Sequence, residues 1–247
     1  MIIDLEDRRY IPSSAMFLLD ECTAYFKREL PLDRWQVFMR TDHRNIPTFR
    51  YRTKASNRRR IEKLYPLTLG HKLGVEDMFP DKPVDKSCDV FFAGTVVGSS
   101  LVRERGLSSL RKLQLMGYRV DIAEYPIPQK EFYHRAASAH LVWSPEGYGW
   151  DCFRHYEAAM CWSVPLMNHA TIERHMPMRH GDHAFYYHPD TDDLVKIVQS
   201  ALADRDGLIK MAAAARAHVM NHNLLAPSVR YMIGTTLNRW KSANEKR

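Results

Sequence analysis

The sequence predicts an α/β protein in which a parallel sheet is covered by helices on both faces. Three observations predict it. From Asp89 onward, apolar strand-like runs alternate with helical patterns at regular spacing, as in βαβ units. Three of the strands end in turns at Gly94, at residues 144–149 and at residues 168–171, and ligands bind at strand carboxyl ends in such sheets. Finally, the helix expected over residues 153–162 is nearly all apolar or aromatic yet carries Arg154 and Glu157.

Taken in order, residues 2–5 read as a short strand. A helical pattern follows over residues 14–30, with Pro12-Ser13-Ser14 as its cap and Pro31 as its stop. Residues 35–39 read as a second strand. The stretch to Ser87 has little periodicity and several breakers (Pro47, Pro66, Gly70, Gly74, Pro80, Pro83), so it reads as an irregular connection holding one short helix. Strand 89–94 then runs into Gly94. Helix 100–116 closes at Gly117, followed by strand 119–123, helix 129–138, strand 140–143, helix 153–162, strand 164–167 and strand 184–187. Helices over 190–203, 207–221 and 226–240 finish the chain.

The chain has 247 residues and a formal charge of +7, which suits anionic partners. Much of the excess lies in Arg50, Arg52, Lys54, Arg58, Arg59, Arg60 and Lys63. That segment reads either as a nucleic-acid or lipid-headgroup patch or as a solvated loop leading into a helix; its aromatics do not alternate with the charges as a single-strand platform requires. No apolar run approaches the roughly 20 residues of a membrane span. The start MIIDLEDRRY turns charged at once, unlike a signal peptide, so a cytoplasmic location is expected. Cys22, Cys88, Cys152 and Cys161 are scattered, which points to free thiols rather than disulfides or a zinc site. His169, His175, His180, His183 and His188 match no metal-binding spacing, and Asp190-Thr-Asp192-Asp193 reads as a helix cap. No metal is expected.

Arg154 and Glu157 are three apart, on one face of a helix that its composition places in the interior. There an ionised residue needs a partner or a ligand. Both lie near the helix start, where free N–H groups and the dipole favour an anion. The residues alone therefore point to a phosphate-bearing ligand.

The strand-glycine FFAG (91–94) followed by Arg103, the core SPEGYGWDCFRHYEA (144–158), and the W-S-V-P-L segment that follows it in place of G-x-P resemble the nucleotide-sugar-binding half of GT-B glycosyltransferases. The likeness is to group-1-like proteins related to spore-maturation glycosyltransferases, more loosely to exostosins, and covers residues 89–231. It implies a Rossmann-like domain over residues 88–247 and a partial, acceptor-side N-terminal lobe with its connection over residues 1–87. It also implies transfer of a sugar from a nucleotide-sugar donor, a substrate rather than a cofactor, to a glycan, lipid or protein acceptor. The donor residues it implies are Gly94, where the backbone approaches the ligand, Arg103 and Arg154 on phosphate, Glu157 on the ribose hydroxyls, Glu146, Gly147 and Tyr148 on the sugar or diphosphate side, and His155 as a further hydrogen-bonding residue. The helix N-terminus and Arg154 would offset the leaving charge without a metal. No catalytic base stands out; Asp4, Asp7, Asp20 and Glu21 are the acids that could face a cleft. Binding without turnover by a truncated module, and nucleic-acid binding through the basic segment, are the alternatives.

Overall fold

The computed structural model describes residues 1–39, 55–191 and 193–245. The chain divides into two compact units. Unit 1 is Met1–Leu69, Ala170–His175 and Leu225–Arg247; unit 2 is Gly70–His169 and Met176–Leu224. The division is thus interleaved, where the sequence suggested a single cut between residues 87 and 88.

Unit 1 holds β1 (Ile2–Asp4), α1 (Leu18–Glu21), β2 (Tyr25–Lys27), α2 (Ala55–Ile61) and β3 (Leu64–Pro66). Its three strands are parallel, in the order β1-β2-β3. The helix expected over residues 14–30 is not formed; a 3-10 turn, α1 and β2 take its place. The reason lies in Lys27, which a helical reading turns toward water. It is fully buried on the central strand, and its ammonium lies 2.9 Å from the carboxylate of Asp4, its register partner on β1. The Tyr25 hydroxyl donates to the same oxygen at 2.9 Å. The expected strand over 35–39 is also replaced, by a 3-10 helix (Arg34–Phe38) whose first turn is capped by the Asp33 carboxylate, 3.1 Å from the Trp35 N–H. Adjacent Val37 and Phe38 are both buried in one core, whereas a strand would send them to opposite faces. β3 arises inside the stretch read as irregular.

Of the basic segment, Arg50, Arg52 and Lys54 lie outside the described residues. Arg58, Arg59 and Arg60 are on α2. Arg60 forks onto Asp20, and Lys63 donates to the carbonyls of Leu19 and Asp20 at 2.7 and 3.0 Å. These two cations therefore dock α2 and its exit onto α1.

Unit 2 opens with β4 (Cys88–Phe92), α3 (Leu101–Leu115), β5 (Val120–Ile122), α4 (Gln129–Ala137), β6 (Ala139–Trp143), α5 (Phe153–Met160), β7 (Val164–Asn168) and β8 (Phe185–Tyr187). It ends with α6 (Asp193–Leu202) and α7 (Arg205–His222). All its strands are parallel, in the order β5-β4-β6-β7-β8. From β4 the chain steps outward to β5, then returns to the other side of β4 for β6; that reversal opens a crevice at the strand carboxyl ends. Successive side chains of β4 serve opposite faces: Phe91 packs on Phe132 of α4 (ring centroids 5.5 Å apart), Phe92 on Trp143 (4.5 Å). The chain returns to unit 1 in α8 (Leu225–Asn244), whose Met232 joins Phe26, Ala24 and Leu67 in a small core. No helix among the described residues is long and apolar enough to cross a membrane.

Trp143 is fully buried, and its indole N–H donates to the Tyr187 hydroxyl at 2.9 Å. Its ring occupies the space beside Gly106 in mid-α3, where an added Cβ would come within 2.2 Å of Cζ2. Gly106→Ala gains helix propensity worth about 1 kcal/mol, but it must displace α3 or the indole. Urea denaturation should show a net loss of about 1–3 kcal/mol, the usual range for overpacking; a stabilised variant would mean that α3 does not rest on Trp143.

Candidate functional site

The site is built around the start of α5. Between β6 and α5 the chain runs through residues 144–152, and buried hydrogen bonds hold that loop. His155 Nε2 lies 2.8 Å from the Trp150 carbonyl and Nδ1 lies 2.7 Å from Ser144 Oγ. A carbonyl only accepts, so in the neutral ring Nε2 carries the proton and Nδ1 accepts from the serine. The Trp150 indole donates to the Asn168 carbonyl at 3.1 Å, and the Asn168 amide spans Glu146, accepting from its N–H at 2.8 Å and donating to its carboxylate at 3.0 Å. At the far end of α5, Lys86 donates to the carbonyls of Ala137 (2.7 Å) and Trp162 (2.6 Å) and to Ser163 Oγ (3.1 Å), and Arg216 to the Met160 carbonyl (2.9 Å). A helix held at both ends presents its N-terminus in one direction. Cys152, the residue before α5, is extended and supplies no side-chain cap, so no side-chain cap neutralises that end.

Arg154 points into this region. Its Nε and Nη1 are shut away from solvent and, among the described residues, have no hydrogen-bond partner. The pair with Glu157 that the spacing allows is not made. The guanidinium lies 5.4 Å over the Phe92 ring, and a Cβ at Gly94 would come within 2.4 Å of Nη2. Gly94 thus makes room for the arginine. Glu157 is buried and turned to α4, where the Tyr133 hydroxyl donates to it at 2.9 Å and itself accepts from Gln129 at 2.7 Å. Burial pushes the Glu157 carboxyl above its ordinary pKa; the Tyr133 bond and the positive charges of Lys72 and Arg154 pull against it. Burial and the neighbouring carboxylate raise the Tyr133 phenol, which stays a donor.

Gly94, Arg154 and Glu157 line one cavity of about 910 Å³ in unit 2, together with Tyr125, Gln129 and Tyr133. The size suits a nucleotide-sized ligand. The other five residues singled out in the sequence do not line it. Arg103 is buried rather than an exposed helix arginine, donating to the carbonyls of Thr95 (2.8 Å) and Glu146 (2.9 Å) and so tying the turns after β4 and β6 together. Its guanidinium needs the bare backbone of Gly147, where a Cβ would come within 2.7 Å of Nη2. His155 is buried with both ring nitrogens engaged, Glu146 is held by Asn168, and Tyr148 is exposed. Sequence reasoning missed Gln129 and Tyr133, although their i, i+4 spacing places them on one face of α4. It also missed Lys72, which lies in a stretch with no pattern to read.

The histidines are held in other ways. His169 stacks on His188 (centroids 4.2 Å apart), His175 on Tyr231 (3.5 Å), and His180 and His183 accept backbone N–H groups through Nδ1. Among the described residues, no three His, Cys, Asp or Glu side chains are grouped to hold a metal ion. Asp190 pairs with Arg105 at 2.5 Å and Asp193 opens α6; Asp192 lies outside the described residues.

Neither a protein-family model nor a curated protein matches the sequence. Solved structures do match. TarM superposes with a TM-score of 0.54 at 9% identity, over 90% of this chain and 46% of that one. A glycosyltransferase from Rickettsia africae superposes with a TM-score of 0.57 at 13% identity, over 94% of this chain and 68% of that one. The chain therefore spans about half the length of TarM. At such identities the likeness is one of architecture: parallel sheets flanked by helices, in the arrangement of these enzymes. This chain has the GT-B fold of the glycosyltransferases it resembles.

Proposed function

We propose that unit 2 binds a nucleotide sugar and that the protein transfers the sugar to a glycan, lipid or protein acceptor, without a metal ion. The observation that carries this reading is Arg154 at the uncapped start of α5, whose enclosed Nε and Nη1 have no hydrogen-bond partner among the described residues. Guanidinium N–H groups fork onto phosphate oxygens, and the free backbone N–H groups of α5 add to the same field. Charge developing on the leaving diphosphate would meet donors already in place. Glu157, steadied by Tyr133, would accept from the ribose hydroxyls. A cytoplasmic setting, where nucleotide sugars abound, fits the reading.

A second reading is donor binding without turnover. It is favoured by the state of three of the four N-terminal acids: Asp4 is bound by Lys27 and Tyr25, Asp7 by Arg28 at 2.6 Å, and Asp20 by Arg60. Release of free nucleotide on adding acceptor separates the two.

Calorimetry with UDP-, GDP- and ADP-sugars should find one that binds. Arg154→Met should weaken it about tenfold or more, the scale of a lost charged hydrogen bond. Wild-type affinity retained in Arg154→Met would remove the basis of the assignment.

Glu157 also makes a prediction about pH. Its folded-state pKa is raised, so the folded protein holds the proton more tightly than the unfolded chain. Its contribution to stability is full below the ordinary carboxylate range and is lost as pH rises through the raised value. Glu157→Gln, which keeps an acceptor for Tyr133, should therefore melt higher than wild type at pH 8, with the difference closing toward pH 4. A variant that melts lower at every pH would show that the carboxylate is not held against a burial penalty.

A further inference from the structure

We propose that residues 176–183, where the chain re-enters unit 2, form an acid-sensitive clasp on α7: neutral His183 and His218 hold the segment closed, and protonation of His183 releases it. Two contacts close the clasp. His218, on α7, brings Nε2 to 2.9 Å from the Met176 carbonyl, and because a carbonyl only accepts, Nε2 carries the proton. Asn223, the residue that follows α7, donates to the same carbonyl at 3.3 Å. Within the segment, the Arg179 N–H donates to His183 Nδ1 at 3.1 Å. The two imidazoles lie against one another with centroids 4.4 Å apart, and His222 adds a third ring 4.8 Å from His218.

This geometry makes the clasp depend on charge. Nδ1 of His183 accepts only while it is unprotonated; an imidazolium carries two donors and no acceptor. One proton therefore removes the bond to Arg179 and sets two N–H groups against each other. The charged and titratable groups facing His183 are His218 and His222 from α7, and Arg179 and Asp182 from its own turn. All but Asp182 are basic, and the Asp182 carboxylate is engaged by Arg179 at 2.8 Å. Burial first, then His218 and Arg179, hold the His183 imidazole below its ordinary pKa, with Asp182 pulling against them. Burial lowers His218 as well, aided by His222 and Arg179 and opposed by the bond to the Met176 carbonyl. With the folded-state value lowered, the stability that His183 lends is full above the ordinary histidine pKa and is lost as pH falls through the lowered one. Met176 supplies the recoil. Its φ of +46° is left-handed, which costs a residue with a side chain free energy, and donors from α7 and its exit hold its carbonyl there. The N–H groups of Asp182, His183 and Ala184 all close on the Arg179 carbonyl, so the turn keeps its own shape when it leaves α7.

The test is amide hydrogen exchange on the full chain, corrected for the intrinsic pH dependence of exchange and read at Arg179. Its N–H should be protected at pH 7.5 and exchange about tenfold faster or more at pH 5, the scale of one unit of pKa difference. His183→Asn puts an amide oxygen in the place of Nδ1 and cannot take up a proton, so protection should persist at pH 5. His218→Gln keeps a donor for the Met176 carbonyl and removes a neighbouring positive charge, so opening should move to higher pH. A nitrogen-15 titration of the wild-type imidazoles reads the same event without a variant. His183 Nδ1 should be bare at pH 7.5, and the ring should titrate below the ordinary histidine value, in step with the Arg179 amide. An unchanged pH response in His183→Asn overturns the inference, as does a His183 ring that titrates at its ordinary value while Arg179 stays protected. Should a variant fail to fold, the wild-type titration decides alone.

Discussion

The candidate site depends on one constraint: a guanidinium whose Nε and Nη1 are enclosed by protein without a hydrogen-bond partner among the described residues. Leaving charged N–H groups buried and unsatisfied costs free energy, and helical spacing offers Arg154 an easy remedy in Glu157. The structure withholds that remedy. Tyr133, itself held by Gln129, keeps Glu157 on the α4 side, while Phe92 and the bare backbone of Gly94 hold the guanidinium on the β4 side. A paired Arg154 and Glu157 would make the region self-neutral; separated, they leave a cation and a hydrogen-bond acceptor free for different parts of one ligand.

Keeping the two apart requires that α5 not rotate. Its start is fixed through the loop, by the Ser144–His155–Trp150 relay and the Asn168 amide across Glu146. Its end is fixed by Lys86, Ser163 and Arg216. Arg103 and His155, expected at the ligand, belong to this frame through their hydrogen bonds. Arg103 donates to carbonyls through Nε and Nη1, and His155 through Nε2, and both thereby hold the loop geometry.

Legibility from sequence followed the balance of local and long-range forces. In unit 2 the strands β4–β8 and helices α3–α7 were visible in the sequence because each buries an apolar face whose period survives in the pattern, and their ends fell within a few residues of expectation. Gly94, Arg154 and Glu157 were legible as a charge problem: ionised residues on an apolar helix that follows a strand. In unit 1 the same reasoning failed. Lys27 and the equally buried Glu29 look like a solvent face until Asp4 is brought across from β1, some twenty residues earlier. Propensity yields to such tertiary pairing.

The sequence by itself thus determined the parallel α/β architecture of the larger unit and the anion-seeking start of its apolar helix, because periodicity and helix-end electrostatics are local properties. Only the tertiary structure decided which charges stay unpartnered. Arg103 and Arg154 look equally available in a string of letters; what separates them is that carbonyls of two turns converge on the first, while Nε and Nη1 of the second have no hydrogen-bond partner among the described residues.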